Sequence, residues 1–221
     1  MKILAAKKIL KVNDQLAADN RAKLDAAGVF CVNVVGSPGS GKTTLLEALF
    51  AELGGRLKPA VIEGDIAGSI DAQRMEAIGV PVVQINTDGA CHLDAAMVAS
   101  AVGELDLADI DLLMIENVGN LVCTAGFDLG ERLRIVVLST PEGDDKIQKY
   151  PAIFQGSHAL FITKTDLAPH LNFNAARITS DMNRLAPAAP VFQVSALKGQ
   201  GIAEAAKWLA EKVGKKQSEN V

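Results

Sequence analysis

The stretch "GSPGSGKT", residues 36 to 43, states its chemistry most openly. Gly36, Gly41, Lys42 and Thr43 stand at the spacing of a phosphate loop, in which glycines let backbone N–H groups converge on phosphate oxygens and the following helix adds its positive dipole end. Ser37, Pro38, Gly39, Ser40 and Thr44 complete the expected lining. Lys42 would reach the β and γ phosphates, and the Thr43 hydroxyl would ligate magnesium. Two acidic residues stand at later strand ends, Asp65 in "VIEGDIAG" and Glu116 in "LLMIENVG", the latter before a flexible "NVGN". Carboxylates there could hold the magnesium, directly or through water, and orient an attacking water. No arginine is singled out for the phosphates.

A second motif addresses the base. "TKTDL", residues 163 to 167, resembles the Asn-Lys-x-Asp guanine motif, with Thr163 where asparagine is usual. A carboxylate at Asp166 can accept from both N1–H and N2–H₂ of guanine, whereas adenine has no donor at N1. The Lys164 stem can lie along the base plane. Ser195 and Ala196 of "VSALKG" resemble the loop whose backbone N–H meets guanine O6. Thr163 is expected to weaken one supporting hydrogen bond and leave the discriminating carboxylate intact. GTP is expected over ATP; an ATP-dependent P-loop protein is the alternative that "TKTD" opposes.

Three cysteines and three histidines are all this chain has, yet Cys91 and His92 are adjacent, in "INTDGACHLDA". Such a pair is either core filler, since buried free cysteine is common, or part of a metal site. An apolar helical stretch follows, so the pair is expected at or just before a helix N-terminus, where the dipole favours the thiolate that binds metal. Cys123 lies four residues beyond Gly119. Convergence of all three would offer two sulfurs and one nitrogen. Cys31, inside an apolar run, is expected to be a packed small hydrophobe.

These groups need a scaffold at the ends of strands. Seven short apolar runs supply it, at residues 30–35, 60–64, 80–86, 111–117, 134–139, 159–163 and 190–195. Several are continuously apolar, as in a parallel sheet covered on both faces, and most intervals are long enough for a crossover helix. The expectation is an α/β fold: a doubly wound, mostly parallel sheet of about seven strands with helices on both faces, binding ligands at the carboxyl ends of its strands. Residues 1–28 form a lead-in helix, residues 29–213 the phosphate-loop domain with an embedded metal site, and residues 214–221 a flexible tail.

A formal net charge of −4 over 221 residues argues against general affinity for nucleic acid or anionic membrane. No apolar run approaches bilayer length, and "MKILAAKKIL" is interrupted by Lys7 and Lys8 before a signal-peptide core develops. A cytoplasmic protein is expected. An odd cysteine count fits no disulfide framework.

Taken together, "SPGSGKTTLLE", "VIEGDIAGSIDAQR", "QINTDGACHLDAAMV", "IENVGNLVCTAGFDLGE" and "KYP" resemble the hydrogenase-maturation GTPases of the HypB family. The resemblance covers nearly the whole chain, and "CHLDA" and "ENVGNLVC" separate it from urease-maturation GTPases, whose metal motif resembles Cys-Pro-His. It implies a GTPase that cycles between GTP and GDP with Mg²⁺ and dimerises with nucleotide. It further implies nickel or zinc at Cys91, His92 and Cys123, and work beside the accessory metallochaperone HypA toward a nickel-iron hydrogenase large-subunit precursor. Catalysis would fall to Lys42, Thr43, Asp65 and Glu116, with Thr43 and Asp65 on magnesium. Three protein ligands leave one position on the transferred metal for water or a second chain. Some members carry an N-terminal cysteine motif or a His-rich stretch; residues 1–11 have neither, so no storage-type nickel site is expected.

Overall fold

In the computed structural model, which describes the backbone of residues 5–219 and the side chains of residues 10–214, every one of the seven apolar runs contains a strand. The elements run α1 (Ala5–Ala26), β1 (Phe30–Gly36), α2 (Lys42–Leu53), β2 (Pro59–Asp65), α3 (Ile70–Ala77), β3 (Val82–Asn86), α4 (Ala95–Gly103), β4 (Leu112–Glu116) and β5 (Leu133–Ser139). There follow α5 (Lys146–Lys149), α6 (Pro151–Gln155), β6 (Ala159–Thr163), α7 (Ala175–Leu185), β7 (Val191–Gln193) and α8 (Ile202–Glu219). All strand pairs are parallel, in the order β3-β2-β4-β1-β5-β6-β7.

The continuous apolarity of the strands is explained by their two covered faces. Along β1, Phe30, Val32 and Val34 enter a core shared with Leu45, Leu46 and Leu49 of α2 and Leu209 of α8. Cys31 faces the other way, packed with Leu24 of α1 and Val98 of α4, and Val35 joins a third cluster with Phe154 of α6 and Met182 of α7. Cys31 is thus the small core residue its place in the strand implied.

Central position decides what β1 delivers. Its carboxyl end lies between the ends of β4 and β5, so the phosphate loop emerges beside Glu116. Gly36 is required here by close packing: a Cβ would lie 2.5 Å from the Val137 carbonyl oxygen. At the chain ends, α1 stops ahead of Gly28, whose φ of 75° suits the left-handed turn that closes a helix. Helix α8 continues past Gly214 to Glu219, so helical backbone occupies most of the segment expected as a tail, and Asn220 and Val221 lie outside the described residues. Among the described residues no helix is long and apolar enough to cross a membrane.

Candidate functional site

The phosphate loop turns through Gly39 (φ 70°) and Gly41 (φ 89°), backbone conformations that suit glycine, and then starts α2 at Lys42. Lys42 and Thr43 are both buried, and Thr43 Oγ1 donates to Glu116 Oε1 at 2.8 Å. Glu116 brings company. Parallel register sets Glu63 of β2 beside it, and Asp71 of α3 joins them, with one carboxylate oxygen of each lying within 4.8 Å of the others. Glu63 and Glu116 are each only 3% exposed, and Oε2 of each has no hydrogen-bond partner. Burial, helped by the Glu116 and Asp65 charges, pushes the Glu63 carboxyl up to about 8. Burial likewise raises Glu116 to about 7, against the pull of Lys42 and the Thr43 hydroxyl. Paired acids with unpartnered buried oxygens beside a phosphate loop suit a divalent cation, which neutralises both at once.

The unliganded chain bears the cost of these acids, and the sign is definite. A carboxyl raised from 4.5 to about 8 holds its proton longer in the folded state than in the unfolded one. The Glu63 contribution to stability therefore declines as pH rises from about 4.5 to about 8 and levels off beyond. Glu63→Gln should flatten that decline, which urea unfolding of the nucleotide-free, metal-free chain at about pH 5 and about pH 9 would read. An unchanged slope in the variant would contradict it.

Asp65 ends β2, where its carboxylate makes two local hydrogen bonds. Its oxygens accept from the backbone N–H groups of Ile66 (2.6 Å) and Gly68 (3.0 Å), so the carboxylate folds back on its own loop and does not join the cluster around Glu116. Such bonds are the local pattern of an aspartate at a strand end, whose oxygens reach nearby N–H donors. Glu63, two residues earlier on the same face of the strand, is the β2 acid within the cluster around Glu116.

Over the phosphate loop lies the base pocket, about 300 Å³, lined by Gly41, Thr44, Leu45, Thr163, Lys164, Asp166, Leu167, Ala196 and Leu197. It shares Gly41, Thr44 and Lys164 with the lining of the neighbouring phosphate pocket. Ser195 Oγ donates to Asp166 Oδ1 at 2.6 Å, which aims the carboxylate and leaves Oδ2 for the base edge. Lys164 adopts φ 56° and donates from Nζ to the Gly39 carbonyl oxygen at 2.7 Å, clamping the phosphate loop to the base motif. Thr163 does more than the sequence implied. Its Oγ1 donates to the Ser40 carbonyl oxygen at 2.5 Å, so the hydroxyl ties the two motifs together where asparagine is usual.

Cys91, His92 and Cys123 converge, their ligand atoms all within 4.8 Å of one another and each residue part-buried. Cys91 Sγ lies 3.6 Å from His92 Nδ1, and the His92 ring stacks on Phe127 with centroids 3.9 Å apart. The pair precedes α4, but Asp94 receives the helix start, accepting from the Met97 N–H at 2.8 Å. The dipole thus serves a carboxylate, and the thiols are held by the loop. A hydrogen bond with the Cys91 thiol, and to a lesser degree desolvation, raise the Cys123 thiol above its ordinary range. Burial lowers His92 and favours the neutral imidazole that binds metals.

The segment joining Glu116 to Cys123 is packed, not loose. Asn117 is buried; its Oδ1 accepts from Leu93 N–H (3.1 Å) and its Nδ2 donates to Asn33 Oδ1 (3.3 Å). A Cβ on Gly119 would meet Pro38 Cα and N at 2.8 Å. The Asn120 N–H donates to the Gly36 carbonyl oxygen at 2.9 Å, and Asn120 Oδ1 accepts from the N–H groups of Val122 (2.7 Å) and Cys123 (2.9 Å).

Three further residues at the phosphate pocket escape sequence reading: Glu63, Asp71 and Arg74. Arg74 of α3 donates to both Glu47 oxygens (3.0 and 2.6 Å), to Asp71 Oδ1 (3.3 Å) and to Thr44 Oγ1 (2.8 Å). It lines the pocket with Lys42, Thr43, Asp71 and Glu116. The one available signal is the helical spacing of Asp71 and Arg74, which is common on any exposed helix.

Fold and site together define a P-loop nucleotide-binding protein with the GTPase-like α/β fold. Residues 30–193 match the CobW/HypB/UreG nucleotide-binding domain. The hydrogenase maturation factor HypB of Azotobacter vinelandii is 48% identical over 206 residues, covering 93% of this chain and 68% of its own. The probable hydrogenase maturation factor HypB of Methanocaldococcus jannaschii is 44% identical, with 94% of each chain covered. The crystal structure of HypB from Helicobacter pylori in complex with nickel superposes with a TM-score of 0.88 at 40% identity, covering 92% of this chain and 95% of that one. The chain belongs to the CobW/HypB/UreG family and, within it, to the HypB hydrogenase maturation factors.

Proposed function

We propose that this chain is a metal-regulated GTPase that hydrolyses GTP to GDP and phosphate while assisting nickel delivery to a nickel-iron hydrogenase precursor. The observation that carries the reading is the short, packed route between the two sites. Gly36 and Pro38 of the phosphate loop touch Asn120 and Gly119, and Asn120 in turn holds the backbone of Cys123. A nucleotide that shifts the phosphate loop must shift the arm carrying one thiol, and coordination at that thiol must bias the nucleotide state in return. The nickel complex of the Helicobacter pylori relative supports nickel as the cargo.

In this reading Asp166 selects guanine, with Ser195 and Ala196 closing the base side. Lys42 balances charge on the β and γ phosphates. Magnesium, held by Thr43 and Glu116 with Glu63 and Asp71 beside them, would supply charge neutralisation of the triphosphate. Asp65 shapes its loop and is not assigned as a ligand. Arg74, anchored by Glu47, stands at Thr44 to face the phosphates. A water oxygen attacks the γ-phosphorus, the bond to the β–γ bridging oxygen breaks, and GDP departs. Cys91, His92 and Cys123 hold nickel or zinc with a position left for water or for a second chain of a nucleotide-dependent dimer, so the metal can be passed on. HypA and the hydrogenase precursor are the proposed protein partners, in the cytoplasm.

Nickel transfer from the loaded chain to an acceptor, followed with GTP and with a non-hydrolysable analogue, tests the reading. Faster transfer with GTP is expected. Equal transfer would reduce the nucleotide to a setter of metal affinity and make hydrolysis incidental.

A further inference from the structure

Helix α1 lies across the face of the sheet away from α2 and α8, and two buried asparagines on it reach both halves of the cysteine–histidine cluster. Asn13 Nδ2 donates to the Asp128 carbonyl oxygen at 2.8 Å, and Asn13 Oδ1 accepts from the Ala95 N–H at 2.9 Å. About two helical turns along, Asn20 Nδ2 donates to the Ala95 carbonyl oxygen (2.9 Å) and to the Leu129 carbonyl oxygen (3.1 Å). Asn13 is 6% exposed and Asn20 4%.

Both bonded segments are the ends of metal-site arms. Ala95 opens α4 three residues after His92, and its N–H is one of the helix-start donors that no residue within α4 can satisfy. Asp128 and Leu129 follow Phe127, whose ring stacks on His92, and stand five and six residues after Cys123. Arg21 adds a fork to both oxygens of Asp128 (2.7 and 2.8 Å). Contact between helix and arm is close: Gly130 sits at φ 96°, and a Cβ there would meet Asn20 Cβ at 2.7 Å and the Ala17 carbonyl oxygen at 2.8 Å.

We infer that α1 is a brace for the metal site, with Asn13 the positioning residue that sets the separation of the Cys91–His92 arm from the Cys123 arm. The inference rests on the proposed nickel or zinc site and adds to it an element that touches no ligand. Near the cluster the arms are also joined by the His92–Phe127 stack and by the Leu93 N–H donating to Asn117 Oδ1, and the asparagine bonds of α1 fix the outer end of each arm. Buried amides suit the task. Each bonds two backbone groups at once, and an unsatisfied buried peptide group is costly, so the spacing they impose is stiff.

The test uses the full chain with Ni²⁺ as probe, following thiolate-to-nickel charge-transfer absorption during titration and, in parallel, the affinity for a fluorescent GDP analogue. Asn13→Leu removes both hydrogen bonds while keeping bulk. Asn13→Asp keeps the acceptor for Ala95 and loses the donor to Asp128. Val213→Ala on α8, buried on the opposite face of the sheet, controls for general loss of stability. Nickel affinity should fall about tenfold in Asn13→Leu with an altered band, the size of effect typical when a group that orients a metal ligand is lost. Asn13→Asp should recover part of the affinity, and Val213→Ala and all GDP affinities should match the unsubstituted chain. An unchanged band and affinity in Asn13→Leu would overturn the brace, as would an equal loss in Val213→Ala. Absence of the band in the unsubstituted chain would overturn the metal reading itself, a separate result.

Discussion

Replacing Asp166 by asparagine is expected to weaken GTP binding on the order of 100-fold or more and to create binding of xanthosine triphosphate. In the proposed reading the carboxylate accepts two hydrogen bonds, from guanine N1–H and N2–H₂, each charge-assisted. An asparagine amide presents its NH₂ where one acceptor stood, so a donor faces a donor. Xanthine carries a carbonyl at C2 in place of the amino group and restores the match. The fold of the loop should survive, because Asp166 Oδ1 accepts from Ser195 Oγ at 2.6 Å and the amide oxygen can do the same. Competition of GTP, ATP and xanthosine triphosphate against a fluorescent GDP analogue reads the outcome. GTP affinity unchanged in Asp166→Asn, or ATP bound as tightly as GTP by the unsubstituted chain, would refute the base assignment.

The second large effect lies at the cysteines. Cys91→Ala and Cys123→Ala should each lower nickel and zinc affinity by more than the roughly 10- to 100-fold seen when only a ligand-orienting group is lost, while GTP binding persists. Each substitution removes a sulfur from the proposed three-ligand set, whose atoms lie within 4.8 Å of one another, and leaves two protein donors, fewer than the three that open zinc sites keep. Cys31→Ser is the control, since Cys31 is buried in the core with Leu24 of α1 and Val98 of α4 and is not a member of the cluster. Equilibrium dialysis with metal analysis, beside nucleotide titration, gives both quantities. Unchanged metal stoichiometry in both alanine variants would dismiss the site. Cys123→Ala should in addition lessen any effect of metal on GTP turnover, because Cys123 is the ligand whose backbone Asn120 holds beside the phosphate loop.

The legible part of this molecule is the part whose chemistry is contiguous. A phosphate loop spends its function within eight residues, so Gly36 to Thr43 announce it, and continuous apolar runs announce strands buried on both faces. The Thr163 to Asp166 motif is likewise local, although the bond from Thr163 to the Ser40 carbonyl oxygen joins residues 123 apart in the chain. Glu63 shows the limit of the same method. Nothing along the chain distinguishes it from other strand acids, and only the register of β2 with β4 sets it beside Glu116.

By itself the sequence determined the fold class, the phosphate loop of a nucleotide site and the residue types available for metal, because each of these depends on neighbours along the chain. Only the tertiary structure decided which acids meet at Glu116, that Cys91 and His92 reach Cys123, and that Asn13 ties their two arms together. Those facts depend on strand register and helix docking, where residues far apart in the chain are brought into contact by burial of apolar faces, and no local pattern records which polar groups that burial will leave side by side.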